Sequence, residues 1–395
     1  MQGFESLDVK IIADGARMLR RGLKIGFDVA QTCHDRAGCG WVADLLVRQM
    51  VRQAPQHEFF LYHHFGTWIN HDTSDGTHLK SGNVREPLRA LNPRKAREIW
   101  KSIAQGVEAP PGEPDIVHAN CFQAPLVRPA KLVYTVYDVS FWVYPEFTTE
   151  ENRLICQRGV LEAIDRAAGL VFISQSSMDE FRRVLPGLME EKGIRHAVAP
   201  LASRFKPVPQ PRTTIADGCW LAVGSLEPRK NYERVLSAHE RYFKKSDLKR
   251  RLTIAGGKGW KSEDLRARID DLEKRGLVKY EGYVDDLRLC ELYHSAFGLV
   301  FQSHYEGFGL PIVEAMSQAC PVITSRNSSL PEVGGSAAIY CNDDEAEIAE
   351  AMLRLERDPS YYLATSRASW AQANSFSWSA TARKVLELYD ELGTR

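Results

Sequence analysis

The chain has no excess of charge of either sign and no long apolar run. Its 51 lysine and arginine residues equal its 51 aspartate and glutamate residues, whereas nucleic-acid-binding proteins usually carry a basic excess. No stretch of about eighteen apolar residues occurs, so we expect no transmembrane helix. Glu5 and Asp8 interrupt the N-terminal segment and no apolar h-region follows, so we also expect no signal peptide. The charge balance thus argues against a protein that binds nucleic acid.

The cysteines lack the spacing of a disulfide framework or a zinc site. The chain has 8 of them, without a C-x-x-C pair, and several lie in apolar runs. We therefore expect reduced thiols in the core of a cytoplasmic protein. The sequence contains neither H-E-x-x-H nor Asp-x-Asp, so we expect no bound metal and no cofactor.

Short apolar runs alternate with amphipathic stretches along the chain, which is typical of parallel α/β layers. The length of 395 residues is enough for two domains. A proline-rich segment beginning at Phe205 separates two such series and has the composition of a linker. We predict a first domain at 1–205, a linker at 206–217 and a second domain at 218–377. Ligands of parallel sheets bind at the carboxyl ends of the strands, here in the cleft between domains.

The periodicity also predicts individual elements. Strands are expected at Leu23–Val29, Glu58–His63, Asp115–His118, Leu132–Tyr137, Gly169–Ile173, Ala197–Leu201, Cys219–Val223, Leu252–Ala255, Val278–Tyr280, Leu299–Gln302, Val322–Thr324 and Ala338–Tyr340. Helices are expected between them, notably at Cys39–Arg52 and Glu150–Ala167.

The strongest functional signal is a glycine-containing loop between a strand and a helix, with Glu306 before it and Glu314 after it. We expect the helix to begin at Pro311, because proline is tolerated at a first helical position. The free backbone N–H donors would then be those of Gly307, Phe308, Gly309 and Leu310. Such donors form an anion site that the helix dipole reinforces, which suits the diphosphate of a sugar nucleotide. The alternative is a pair of solvated glutamates.

A second signal follows the strand that ends at Gly224-Ser225. Arg229 and Lys230 place two cations at the carboxyl end of this strand, and Asn231 is expected to cap the next helix. The cations would neutralise a nucleotide diphosphate and the charge that develops as it leaves. The alternative is a basic pair on a solvated helix start.

The first half contains weaker candidates. Gly38 and Gly40 belong to a glycine loop before a helix, which either closes over phosphate or acceptor or is a simple turn. Asp138 ends a strand and either binds a sugar hydroxyl or caps the following turn. Tyr137 and Trp142 would contact the acceptor or belong to the core.

Two further features are also ambiguous. His118 ends a strand and is a candidate for the acceptor site, although a lone histidine is usually structural. The basic stretch from Arg85 to Lys101, with Trp100, would dock on an anionic membrane surface or form a solvated helix face.

The segment Glu306-Gly-Phe-Gly-Leu-Pro-Ile-Val-Glu-Ala-Met, with the preceding Glu227-Pro-Arg-Lys-Asn, resembles family 4 of the retaining GT-B glycosyltransferases. The resemblance covers nearly the whole chain. Within the family, the chain is similar to the bacterial mannosyltransferases that build O-antigen. Two positions depart from the pattern: many relatives have Arg where this chain has Ser225, and His where it has Tyr137.

The resemblance implies an α/β GT-B fold of two Rossmann-like domains that face each other across a cleft. A C-terminal helix, at about 378–395, would pack back on the first domain. Glu314 would bind the ribose, and Glu306 with the amides of residues 308–310 would hold the donor sugar and diphosphate. Arg229 and Lys230 would grip the phosphates. Donor contacts would also come from Gly38, Gly40, Gly224, Ser225, Gly307, Tyr283 and Val284, the last two near the base.

The predicted reaction is metal-independent transfer of a hexose, mannose from GDP-mannose, with retention of configuration. Glu306, Asp138, Arg229 and Lys230 are the predicted catalytic residues. The acceptor is expected to be a glycan or a lipid-linked glycan, with peripheral contact at the inner membrane face as a hypothesis. The alternatives are a UDP-sugar-dependent glycosyltransferase and a nucleotide-sugar-binding protein without turnover.

Overall fold

The computed structural model describes residues 22–34, 36–214, 216–342 and 344–394. The segment with Glu5 and Asp8, on which the absence of a signal peptide was predicted, lies outside the described residues. Among the residues that are described, no helix is both long enough and apolar enough to cross a membrane.

The described residues form two sheets of parallel strands. The strands are β1 Lys24–Asp28, β2 Glu58–Tyr62, β3 Val84–Arg85, β4 Ile116–Ala119, β5 Lys131–Val136, β6 Ala167–Phe172, β7 Arg195–Val198, β8 Trp220–Val223, β9 Leu252–Ala255, β10 Val278–Gly282, β11 Gly298–Phe301, β12 Val322–Ser325 and β13 Ile339–Cys341. The first sheet has the order β3-β2-β1-β4-β5-β6-β7 and the second the order β10-β9-β8-β11-β12-β13. Alternation of these strands with helices confirms the predicted α/β class.

Helices connect the strands. They are Gly38–Gln53, Pro93–Ala104, Ser140–Val143, Glu150–Arg166, Gln175–Val184, Leu188–Glu191, Tyr232–Lys245, Glu263–Lys274, Asp286–Ser295, Leu310–Ser317, Leu330–Gly334, Glu345–Arg357, Pro359–Ala373 and Trp378–Gly393.

The chain divides into two compact units. Among the described residues, 22–120, 125–133 and 389–394 form the first unit, and 121–124 and 134–388 form the second. The predicted domain limits at 205 and 218 and the predicted role of the C-terminal helix stay predictions.

Trp100 anchors the core of the first unit. Its ring lies 4.8 Å from that of Phe65 and 5.8 Å from that of Tyr62, and its Nε1 donates a 2.9 Å hydrogen bond to the carbonyl of His64. The aromatic residue of the basic stretch is therefore a core residue, as expected for a helix with one solvated face. Membrane docking by this stretch stays a hypothesis.

Trp220 has the same role in the second unit. Its fully buried ring lies 4.9 Å from that of Phe297 and 5.6 Å from that of Tyr242. Burial of such an aromatic side chain removes roughly 150–250 Å² of surface from water, and each Å² of apolar surface buried stabilises the fold by roughly 25 cal/mol. This packing fixes β8 and β11, whose carboxyl ends carry the candidate site.

The structure corrects three local predictions. The strand predicted at Ala197–Leu201 is β7, which ends before Pro200 because proline has no N–H for a strand ladder. The two-residue strand β3 was not predicted, since it is too short to show a period. Asn231 precedes the helix as expected, but its side chain makes no cap; its backbone is left-handed instead, with φ 54°.

Candidate active site

The loops at the carboxyl ends of β8 and β11 carry most of the predicted site. Gly224 follows β8 with φ +136°, and its N–H donates to the carbonyl of Ala255 at 3.0 Å. A Cβ on Gly224 would lie only 3.2 Å from Cε of Lys230. The missing side chain therefore leaves room for the aliphatic part of Lys230, which passes beside this turn.

Four charged side chains, Glu227, Arg229, Lys230 and Glu306, form what we call the charge cluster. Arg229 Nη1 donates to Glu306 Oε2 at 2.7 Å, and Arg229 Nη2 donates to Glu227 Oε1 at 2.5 Å. Lys230 Nζ donates to Glu306 Oε1 at 2.5 Å. Glu227 is 2% exposed and Glu306 is 7% exposed, so both carboxylates are almost removed from water. Two cations and two anions balance one another within the cluster.

The cluster determines the ionisation of Glu306. Burial acts to raise the pKa of Glu306, but the charges of Arg229 and Lys230 outweigh it and lower this pKa to about 2. Burial and the neighbouring Arg229 lower the pKa of Lys230 from its usual value, against the opposite effect of Glu306. Although burial opposes it, the carboxylates of Glu306 and Glu227 raise the pKa of Arg229. Glu306 is thus a carboxylate at neutral pH.

The glycine loop, residues 306–310, leads from the cluster into the helix Leu310–Ser317. This helix begins at Leu310, one residue before the predicted start, with Pro311 in its first turn. Gly309 precedes it with φ +99°, a left-handed conformation that glycine adopts without strain. Among the described residues, the N–H groups of 307–310 donate to no other group. The predicted set of free donors is therefore present at this helix start.

Asp138 lies against the glycine loop. A Cβ built on Gly307 would be 2.3 Å from the carbonyl oxygen of Tyr137 and 3.1 Å from Cβ of Asp138. Asp138 Oδ1 accepts a 2.8 Å hydrogen bond from the N–H of Ser140, so it caps the following turn, as the alternative interpretation proposed. The charge of Asp138 also contributes to the raised pKa of Arg229. Its catalytic role stays a prediction.

Glu314 is held by an arginine that the sequence did not single out. It is 1% exposed, its Oε1 lies 2.8 Å from Arg204 Nε, and its Oε2 accepts from the Tyr293 hydroxyl at 3.1 Å. Burial raises the pKa of Glu314, and the charge of Arg204 opposes this rise. Arg204 also pairs with Asp286 at 3.0 Å. Both carboxylate oxygens of Glu314, the residue predicted to bind the ribose, therefore have a partner that holds the side chain in place.

Several aromatic side chains lie beside the charge cluster. Tyr144 lies 5.6 Å from Tyr305, and Phe147 stacks on His304 at 5.3 Å. The N–H of His304 donates to the carbonyl of Arg229, which ties this aromatic group to the cluster. Trp142 is partly buried and contacts the ring of Phe141 at 4.7 Å instead.

The predicted base-binding residues follow β10. Tyr283 is 73% exposed, and its Cβ lies 3.8 Å from the position that a Cβ on Gly257 would occupy. Val284 and Ser225 are partly buried. An exposed aromatic ring at a strand end is suited to stacking on a base, and this role stays a prediction.

Three predicted residues belong to the first unit and are described there. Gly38 is the first residue of its helix and has open space at its Cβ position, whereas a Cβ on Gly40 would lie 2.3 Å from the carbonyl oxygen of Gln31. His118 is fully buried, and its Nδ1 is 2.5 Å from the hydroxyl of Tyr389. Burial lowers the pKa of His118 to about 3. This is the environment of a neutral core histidine, and its acceptor role stays a prediction.

Sequence reasoning missed several residues that hold the site. Glu227 belongs to the segment Glu227-Pro-Arg-Lys-Asn, and its position two residues before Arg229 could have indicated an ion pair with that arginine. Arg204 lies close to the predicted linker and had no motif of its own. Ser174 and Ser177, which donate to the carbonyl of Gly307 at 2.6 and 3.0 Å, carried only the signal of a helix cap.

Comparisons with known proteins identify the family and several relatives of the chain. Residues 217–374 match the family described as glycosyl transferases group 1. The chain is 32% identical over 316 residues to the O-antigen chain mannosyltransferase B of Escherichia coli, and the aligned region covers 77% of this chain and 79% of that protein. It is 30% identical over 298 residues to a glycogen synthase of Mycobacterium tuberculosis, covering 70% and 68% of the two chains. The sucrose-phosphate synthase of Thermosynechococcus elongatus superposes with a TM-score of 0.67 at 20% identity, over 94% of this chain and 99% of that one.

Proposed function

The chain belongs to the group 1 glycosyl transferases, and we propose that it transfers mannose from GDP-mannose, with retention of configuration, to a glycan or lipid-linked glycan. The family resemblance and the GT-B fold expected from the sequence are confirmed. Mannose is proposed because the Escherichia coli relative is an O-antigen chain mannosyltransferase. The charge cluster beside the free amides of the glycine loop is the observation that carries the proposed mechanism.

We infer that the donor diphosphate exchanges places with Glu306. Arg229 and Lys230 are neutralised by Glu306 and Glu227. The phosphate oxygens would take over both cations and accept from the amides of the glycine loop, where the helix dipole adds positive charge. Positive charge for the leaving group thus comes from side chains and backbone, and we propose that the reaction needs no metal.

Glu306 would then face the sugar. As a carboxylate it can accept hydrogen bonds from sugar hydroxyls and stabilise the positive charge of an oxocarbenium-like transition state. The acceptor hydroxyl attacks the face from which the diphosphate leaves, and a phosphate oxygen of the leaving group takes its proton. The bond from the anomeric carbon to the diphosphate breaks as the bond to the acceptor oxygen forms.

A thermal-shift panel of GDP-mannose, UDP-glucose, ADP-glucose and dTDP-glucose, each with and without EDTA, tests the donor. A ligand at 100 times its Kd stabilises the fold by about 2.7 kcal/mol, which is measurable as a rise in Tm. We expect an EDTA-insensitive shift with GDP-mannose. Lys230→Met should abolish the shift, whereas Lys245→Met, which changes an exposed lysine of the next helix, should preserve it.

Two results would contradict the proposal in different ways. A shift with UDP-glucose or ADP-glucose alone would replace mannose by glucose, in line with the similarity to a glycogen synthase. A shift with GDP-mannose that no acceptor glycan converts into turnover would favour a nucleotide-sugar-binding protein.

A further inference from the structure

Serine hydroxyls contact two successive peptide carbonyls of the glycine loop, those of Glu306 and Gly307. Ser329 Oγ donates to the carbonyl of Glu306 at 2.8 Å. Ser174 Oγ donates to the carbonyl of Gly307 at 2.6 Å. Ser177 Oγ lies 3.0 Å from the same carbonyl and 2.9 Å from the carbonyl of Tyr137, so its one proton is shared between these two acceptors. All three serines are fully or almost fully buried, so water does not compete for these carbonyls.

The orientation of each carbonyl fixes the next N–H group. A trans peptide is planar, and its C=O and N–H point in opposite directions. The hydroxyl of Ser329 on the carbonyl of Glu306 therefore turns the N–H of Gly307 to the other side. The hydroxyls of Ser174 and Ser177 do the same for the N–H of Phe308. These two N–H groups are among the free donors of the candidate anion site.

The two serines on Gly307 are themselves held in place. Ser174 is the N-cap of the helix Gln175–Val184, and its Oγ accepts from the N–H of Ser177 at 2.9 Å. The next two N–H groups, those of Gln175 and Ser176, donate to the carboxylate of Glu332 at 3.0 and 3.2 Å. The start of this helix is thus fixed at both its side chains and its backbone.

We propose that Ser174, Ser177 and Ser329 are positioning residues that aim the amides of the glycine loop at the donor diphosphate. This inference rests on the proposed function, because it assumes that the diphosphate binds these amides. The hydroxyls of the three serines contact backbone groups and one another, so they act through the loop and not on the reacting atoms. Their removal should weaken contacts to the diphosphate and leave contacts to the nucleoside unchanged.

The test compares ligands with and without phosphates by isothermal titration. GDP and UDP are titrated against the wild-type chain and Ser174→Ala/Ser177→Ala, and guanosine and uridine are titrated in parallel. We expect the double variant to weaken the nucleoside diphosphate by about tenfold and to leave the nucleoside within about twofold. Ser176→Ala is the matched control, since Ser176 lies in the same helical turn and its side chain makes no hydrogen bond among the described residues.

The possible results separate this inference from the proposed function. Equal binding of the diphosphate by the wild-type chain and the double variant would overturn the inference alone. Equal losses for diphosphate and nucleoside would also overturn it, because they would indicate a merely structural role. A wild-type chain that binds neither nucleoside diphosphate would overturn the proposed function and this inference together. Ser329→Ala, on a different element, supplies a second test if the double variant does not fold.

Discussion

Glu306→Gln tests the central step of the proposed mechanism. The substitution keeps the size of the side chain and removes the charge that both Arg229 and Lys230 contact. If Glu306 stabilises the transition state while the two cations bind the diphosphate, kcat should fall but binding of GDP should not weaken. This separation distinguishes a role in the chemistry from a role in the fold.

The magnitudes follow from the distances. At an effective dielectric constant of about 20, a unit charge pair at 2.7 or 2.5 Å interacts by about 6 kcal/mol. The donor diphosphate must compete with both pairs, so their removal should leave GDP binding unchanged or tighter. A lost hydrogen bond to a charged acceptor amounts to about 1.5–3 kcal/mol, and each 1.36 kcal/mol in the barrier is a factor of about ten. We therefore expect kcat to fall by about 10²-fold.

Steady-state kinetics with GDP-mannose and titration with GDP supply the two numbers. Glu227→Gln is the matched control, since it removes the other carboxylate that contacts Arg229, at 2.5 Å. A kcat of Glu306→Gln within threefold of wild type would refute the reasoning. So would a fall in kcat accompanied by an equal loss of GDP affinity, since the carboxylate would then only hold the cations.

Three further changes have defined outcomes. Arg204→Met should raise the donor KM by about tenfold with little change in kcat. The rise in KM should be larger at low pH, because the pKa of Glu314 rises further without this cation. Arg204→Lys should restore the KM across a pH series. Gly307→Ala should lower both Tm and activity, because its Cβ would lie 2.3 Å from the carbonyl oxygen of Tyr137, and an unchanged melting curve would contradict this. The pKa of Glu306 is about 2 against an ordinary 4.5, so its ion pairs should contribute about 3 kcal/mol to the unfolding free energy above pH 4.5. This contribution should be lost as the pH falls toward 2. In denaturant titrations, the unfolding free energy of Glu306→Gln should therefore decrease less with falling pH than that of the wild-type chain.

The strands and the helix starts were predictable because they depend on local patterns. Leu252–Ala255 was predicted to the residue, since a short apolar run in a parallel sheet is buried on both faces. The glycine loop was predictable for a similar reason: a strand, two glycines and a proline define a turn and a helix start within one segment. Arg229 and Lys230 were found because their distance from a strand end is short in the sequence.

The partners of these residues were not predictable in the same way. Arg204 and Glu314 are far apart in the chain, and only the packed fold brings them to 2.8 Å. Ser174 follows β6 of the first sheet and Gly307 follows β11 of the second, and no sequence periodicity links the two residues. The side chain of Asn231 is a further case. Asparagine is on average a preferred N-cap, but here Asn231 has a left-handed backbone and its side chain makes no capping hydrogen bond.

The second carboxylate of the charge cluster has a physical role that follows from the exchange at the first. When the diphosphate displaces Glu306, Arg229 would lose one of its two anchors just as it must hold a phosphate. Glu227, which is almost fully buried, stays on Nη2 and keeps the guanidinium in place. Glu227→Gln should therefore weaken GDP binding and change kcat less, the reverse of Glu306→Gln. Two variants of one cluster with opposite signatures would show that one carboxylate holds the cation and the other acts on the sugar; identical signatures would refute this division.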